Sequence, residues 1–185
     1  GGTEVNVDIL RNKKTIPFAI TRGTIPINSV VTSQIIGDDV GYIKISRFAK
    51  TTYEEFMQHM AQLSNQGMKE VIVDLRGNGG GFLSAAVQMS EEFLQKDQLI
   101  VYTQGKASPK KEYFAMKRGT YADLPMAILI NQGSASASEI LAGAIQDNDR
   151  GTIIGRRSFG KGLVQEHLDL PDHSALRLTV ARYYT

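Results

Sequence analysis

The chain has no cysteine. That absence excludes a disulfide framework, a thiolate zinc site and a cysteine nucleophile, and it is compatible with an oxidising compartment. Histidine is scarce too. His59, His167 and His173 are the only three, and they lie too far apart in sequence to show metal-ligand spacing. Net charge is only +2, so there is no electrostatic case for nucleic acid or an anionic membrane surface. No run approaches the roughly 20 apolar residues that span a bilayer, and no stretch reads as a signal peptide. What is present is ordinary for a folded domain. The 185 residues are 42% hydrophobic and 22% charged, enough to bury the core of one large domain.

Periodicity supplies the elements. "TEVNVDIL" alternates apolar and polar residues as a half-buried strand does. "ITRGTIPINSVVTSQII" reads as extended and broken by Pro26, and "VGYIKISRF" (Val40 to Phe48) as a strand. Thr51 or Thr52 caps a helix over "YEEFMQHMAQLSNQG", with Tyr53, Phe56, Met57, Met60 and Leu63 on one face and Gly67 as its stop. "EVIVDLR" suits a strand buried on both faces. "GNGGG" breaks it, and "FLSAAVQMSEEFLQK" forms a second amphipathic helix. "QLIVYT" is a strand, residues 104–125 a polar surface excursion, and "MAILIN" a buried strand. "SASASEILAGAIQDND" is a helix opened by serine. "TIIGRR", "LVQEHLDL" and "SALRLTVARYY" are strands, with the "SFGKG" loop after the first of them. Helix follows strand repeatedly through residues 40–156, the pattern of an α/β fold: a central sheet flanked by helices, with extra strands at either end.

The glycine motifs admit several chemistries. "VIVDLRGNGGG" begins a dinucleotide fingerprint at Gly77 and Gly79, but its third position is Phe82. A tight strand-to-helix turn would use glycine equally well. Consecutive glycines also let bare N–H groups approach a ligand, as an oxyanion hole requires. "GRRSFGKG" fits the start of a phosphate-binding loop, yet Gly162 stands where Ser or Thr must bind magnesium, and a strand follows instead of a helix. Ser158-x-x-Lys161 has the spacing of penicillin-binding enzymes without their partner motifs. There remains a lysine between glycines beside apolar residues. Desolvation can keep such an amine neutral, able to accept a proton from serine. Three serines, Ser134, Ser136 and Ser138, alternate with alanine before a helix. Ser134 and Ser138 can accept backbone N–H groups as caps, and Glu139 reads as a first-turn helix residue. Spacing alone does not separate Ser136 from its neighbours.

"GSASASEILAGAIQDNDRGTIIGRRSFGKGLVQ" resembles the carboxyl-terminal processing (tail-specific) proteases, serine peptidases with a Ser-Lys dyad. "GYIKISRF", "VIVDLRGNGGG" and "LRLTVARYYT" resemble the same family. The resemblance implies a layered α/β core of the ClpP/crotonase-like type. It implies Ser136 as nucleophile, Lys161 as general base and Gln165 orienting the lysine. It implies an oxyanion hole from the N–H of Ala137 and of Gly80, with Gly81 next in line. No metal or other cofactor is implied. The implied partners are protein or peptide substrates with apolar C-termini, and the implied location is the bacterial cell envelope, periplasmic or membrane-associated.

By the same resemblance, residues 1–24 read as the last strand and linker of a PDZ domain, and residues 25–185 as a C-terminally truncated protease core. Such a fragment is expected to cleave feebly or not at all, to hold Ser136 and Lys161 apart on displaceable glycine-rich loops or leave those loops poorly ordered, and to self-associate through uncovered apolar edges. Two rivals stand beside this reading: a nucleotide-binding α/β protein, and a catalytically silent peptide-binding module of the same fold.

Overall fold

A computed structural model describes residues 2–23 and 27–185. Near the N-terminus, β1 (Glu4–Arg11) and β2 (Lys14–Thr21) form an antiparallel hairpin. Asn12 and Lys13 take positive φ at its tip, the conformation a two-residue hairpin turn demands. The sequence shows β1 as a strand, but the extended reading that follows begins only at Ile20, so most of β2 went unread. Val5, Val7 and Ile9 pair across to Ile20, Phe18 and Ile16, and all but Val5 are exposed. The break expected at Pro26 and the boundary between residues 24 and 25 lie outside the described residues.

The main sheet follows. β3 (Val30–Ile36) runs antiparallel to β4 (Val40–Ile45), and α1 (Thr52–Asn65) leads to β5 (Glu70–Asp74). After α2 (Leu83–Glu91) the chain forms β6 (Leu99–Gln104) and β7 (Lys111–Phe114), then returns as β8 (Met126–Ile130), α3 (Ala137–Asp147) and β9 (Thr152–Gly155). The order is β3-β4-β5-β8-β9, with β4, β5, β8 and β9 parallel. Parallel neighbours need helical crossovers, and three helices supply them. Phe56, Met60 and Leu63 of α1, Met89 of α2 and Leu141 and Ile145 of α3 are buried with Ile43, Val73 and Ile128 of the sheet in one core. The expected α/β layering and the apolar face of α1 are borne out. Gly67 ends α1 with φ +92°.

A second sheet, β10-β11-β6-β7, is antiparallel throughout, with β10 spanning Leu163–Asp169 and β11 Ala175–Tyr184. Two expectations need correcting here. α2 stops at Glu91, five residues short of Lys96, because distant chain captures its later carbonyls. Tyr121 N–H donates to Glu92 O at 2.8 Å and Gly119 N–H to Leu94 O at 2.9 Å. The segment 104–125 is therefore no free excursion. It contains β7, and it docks so closely that a Cβ on Gly119 would stand 2.3 Å from Glu91 O.

β5 ends on an ionic anchor. The fully buried Asp74 carboxylate accepts Tyr42 Oη–H at 2.6 Å, Arg76 Nη2 at 2.7 Å and Lys44 Nζ at 3.3 Å. Burial alone would raise its pKa. The hydrogen bonds from Arg76 and Tyr42 outweigh burial and hold it far below the ordinary carboxylate value. Asp74→Ala leaves a buried cavity and orphans the Tyr42 hydroxyl. It should cost about 2–4 kcal/mol in urea unfolding, and an unchanged midpoint would refute the anchor.

Candidate active site

β5 and β8 are parallel neighbours, so the loops at their carboxyl ends lie side by side, the usual place for a ligand in such sheets. Asn131 Oδ1 accepts N–H groups from Gly77 and Gly133, each at 2.9 Å, and so bridges the two loops. Asn78 is buried in the first loop. Its Nδ2 donates to Ile45 O at 3.0 Å, and its carbonyl accepts Ala135 N–H at 3.0 Å.

The three serines have two jobs. Ser134 and Ser138 are fully buried, and their hydroxyls donate to Leu75 O at 2.8 Å and Asn78 O at 2.9 Å. Neither hydroxyl caps the helix as expected: Ser134 accepts the N–H of Asn131, three residues before it, which closes the turn after β8, and Ser138 only donates. Ser136 stands between them at the start of α3 with φ 58° and ψ −115°. A non-glycine residue rarely adopts that conformation unless its surroundings enforce it. A strained strand-to-helix turn of this kind presents a hydroxyl at the top of a sheet. Ala137 N–H, the first of the helix, has no carbonyl partner within it and carries the positive end of the helix dipole.

Gly80 packs against this turn. A Cβ there would come within 2.5 Å of Ala135 O and 2.7 Å of Ser136 Cβ, and its φ is +94°. Its own N–H donates to Asn78 Oδ1 at 2.9 Å. The Gly81 N–H makes no hydrogen bond among the described residues. A Cβ on Gly81 would collide with Phe48 O at 2.0 Å.

The "SFGKG" loop arrives after β9 and is tied down. Glu139 Oε1 accepts Ser158 Oγ–H at 2.7 Å and Gly160 N–H at 2.6 Å; Oε2 accepts Ser136 N–H and Lys161 N–H, both at 2.8 Å. Phe159 N–H donates to Ser134 O at 3.0 Å. Tyr183 donates its hydroxyl to Lys161 O and its N–H to Gly162 O. Burial pushes the Tyr183 hydroxyl up to about 12; the Glu139 charge adds to this and the adjacent Ser136 hydroxyl opposes it. Glycine alone suggests an easily displaced loop, and these bonds restrain it.

A cavity of about 570 Å³ gathers Gly81, Ser136, Ala137, Lys161 and Gln165 on its walls, with Tyr183 beside them. Gly80 lies behind the Ser136 turn. Among the described residues no hydrogen bond joins Ser136 Oγ to Lys161 Nζ. Gln165 follows a register slip in β10, and its amide reaches Thr179 Oγ1 at 3.5 Å, not the lysine. The sequence reading missed the bridging roles of Asn78, Glu139 and Tyr183. The Ser136-x-x-Glu139 spacing of a helix-capping pair was the available signal for Glu139. The "GRRSFGKG" loop leads into β10 and not a helix, which removes the phosphate-loop reading.

A profile described as Peptidase family S41 matches residues 39–185. The carboxyl-terminal-processing protease of Synechocystis sp. is 39% identical over 188 residues, covering 99% of this chain and 44% of that protein. The carboxy-terminal processing protease CtpB of Bacillus subtilis is 36% identical, covering 100% of this chain and 39% of its own length. The chain thus spans less than half the length of either relative. Among solved structures, a photosystem II D1 C-terminal processing protease superposes with a TM-score of 0.76 at 32% identity, covering 100% of this chain and 51% of that one.

Two outcomes follow from the geometry. Gly80→Ala should displace the Ser136 turn, visible as a shifted Ser136 φ in a crystal structure; an unmoved turn would show the contact to be slack. The second concerns Glu139. Burial raises its pKa, but the hydrogen bonds from Ser158, Ser136, Gly160 and Lys161 prevail and lower it. A lowered folded pKa means that its stabilisation is complete above the ordinary glutamate value and is lost as pH falls through the folded one. An NMR titration of the Glu139 carboxyl carbon should give a midpoint below that of a free glutamate, and one at or above it would contradict the bonding described.

Proposed function

Because the chain belongs to peptidase family S41, we propose that it is the core of a serine peptidase that cuts protein substrates near their C-termini through Ser136 and Lys161. The observation that carries the reading is the strained Ser136 turn facing Lys161 across one cavity. Lys161 takes the Ser136 hydroxyl proton as Oγ attacks the peptide carbonyl carbon. The new oxyanion lies toward the N–H groups of Ala137 and Gly81. Asn78 already holds the Gly80 N–H, which favours Gly81 as the second donor. The C–N bond breaks, the leaving amine takes the proton from Lys161, and water then hydrolyses the acyl-enzyme with Lys161 again as base. Gln165 stands on the same wall and can orient Lys161 once the amine turns toward Ser136.

Phe82, Leu83, Ile140 and Leu163 line the cavity, which supports substrates with apolar C-termini. The exposed hairpin β1–β2 is consistent with the remnant of a PDZ domain, and its apolar face, with the exposed Leu176 and Leu178, with self-association. A place in the bacterial cell envelope rests on the family resemblance. The missing Ser136–Lys161 hydrogen bond favours one second reading, a silent peptide-binding module of the same fold.

Activity separates the two. Ser136→Ala and Lys161→Arg should each abolish peptide hydrolysis, in this chain and in any longer protein that contains it, because arginine stays protonated. Ser134→Ala and Ser138→Ala should cost about 1–2 kcal/mol of stability for a lost buried hydrogen bond while hydrolysis persists. Hydrolysis by the Lys161→Arg variant would remove the lysine from the mechanism, and no hydrolysis by any form would favour the silent module.

A further inference from the structure

We infer that Glu139 is the positioning residue of this site: its carboxylate fixes the Ser136 turn and the Lys161 loop relative to each other. The inference rests on the Ser136–Lys161 reading. Glu139 sits in the first turn of α3, three residues after Ser136, while the groups it binds in the other loop are 19 to 22 residues away in sequence. Both carboxylate oxygens accept twice, and all four partners are donors: the N–H groups of Ser136, Gly160 and Lys161 and the hydroxyl of Ser158. A carboxylate offers about four acceptor sites and no donor, so this site uses the whole group. An amide of the same shape would turn its NH₂ toward two of those donors. Bonds to an ionised acceptor are also shorter and about twice as strong as neutral ones.

Glu139 is not on the cavity wall, so it acts through backbone, not on substrate. At Ser136 it holds the N–H of a residue whose φ is +58°, which helps that turn persist against its strain. At Lys161 it holds the N–H while Tyr183 holds the carbonyl. The Lys161 backbone is thereby fixed from both sides, and only its four-carbon side chain is left to move. Bringing Nζ to Ser136 Oγ is then a side-chain rotation, not a loop movement, and its reach is set by where Glu139 anchors the backbone.

Glu139→Gln, compared with the unsubstituted chain, tests this with two readouts. Amide hydrogen exchange at Gly160 and Lys161 should accelerate by about tenfold or more, the size expected for losing a charge-assisted bond, while Val73 and Ile128 in the core keep their protection. With a peptide substrate, kcat should fall about 100-fold, the scale of a misplaced reacting group, while KM changes by less than about threefold, since the cavity walls are untouched. A residue with only a structural role would lower core protection and kcat together or leave both alone. Unchanged exchange at Gly160 and Lys161 overturns the inference, as does faster exchange with kcat retained. An unsubstituted chain without turnover counts against the Ser136–Lys161 reading, and the exchange rates still decide whether Glu139 is the clamp.

Discussion

The carboxylate of Glu139 ties together two loops that the parallel pairing of β8 and β9 brings side by side. One is the turn where β8 gives way to α3, and the other is the glycine-rich loop that follows β9. The carboxylate is half-buried and receives four hydrogen bonds, so its charge is stabilised by polar groups and not by solvent alone. Ser136 and Lys161 line one cavity, and these bonds tie their backbones to the same carboxylate. Tyr183 completes the arrangement by pinning the Lys161 carbonyl from the second sheet. The two sheets therefore meet at the site.

The parallel register beneath makes the rest possible. β5 beside β8 places the "GNGGG" loop against the serine run, and the fit is close enough that side chains are excluded at Gly80 and Gly81. Ser134 and Ser138 are buried and bind the carbonyls of Leu75, at the end of β5, and Asn78, in that loop. With its neighbours used in this way, Ser136 is left facing the cavity. Polar groups here mainly build a rigid frame, and Gly81, Ser136, Ala137 and Lys161 line a cavity with both apolar and polar walls. That lining supports the proposed acyl transfer, and the relatives of the chain are processing peptidases.

Much of this was legible in the residues. The strand–helix alternation from Val40 onward gave the layered sheet, because period-2 and period-3.6 patterns are local signals. The apolar face of α1 and the stop at Gly67 were legible for the same reason. What escaped was set by distant partners. Nothing near Glu91 announces that Gly119 and Tyr121 will take the next carbonyls and end α2. Nothing in "GNGGG" shows that Asn78 will occupy the Gly80 N–H and leave Gly81 unbound. Glu139 showed its helix-capping spacing, but its bonds to the Lys161 loop depend on how β9 returns beside β8.

The central claim is that the frame singles out Ser136 as the reactive hydroxyl. Labelling with a serine-directed fluorophosphonate, followed by mass-spectrometric mapping of the modified peptide, tests it most directly. The account predicts a single adduct on Ser136, with Ser134 and Ser138, its neighbours in the turn, and Ser158, which shares the Glu139 carboxylate, all unmodified. An adduct on any of those three, or an unlabelled Ser136 in a protein that hydrolyses peptides, would contradict it.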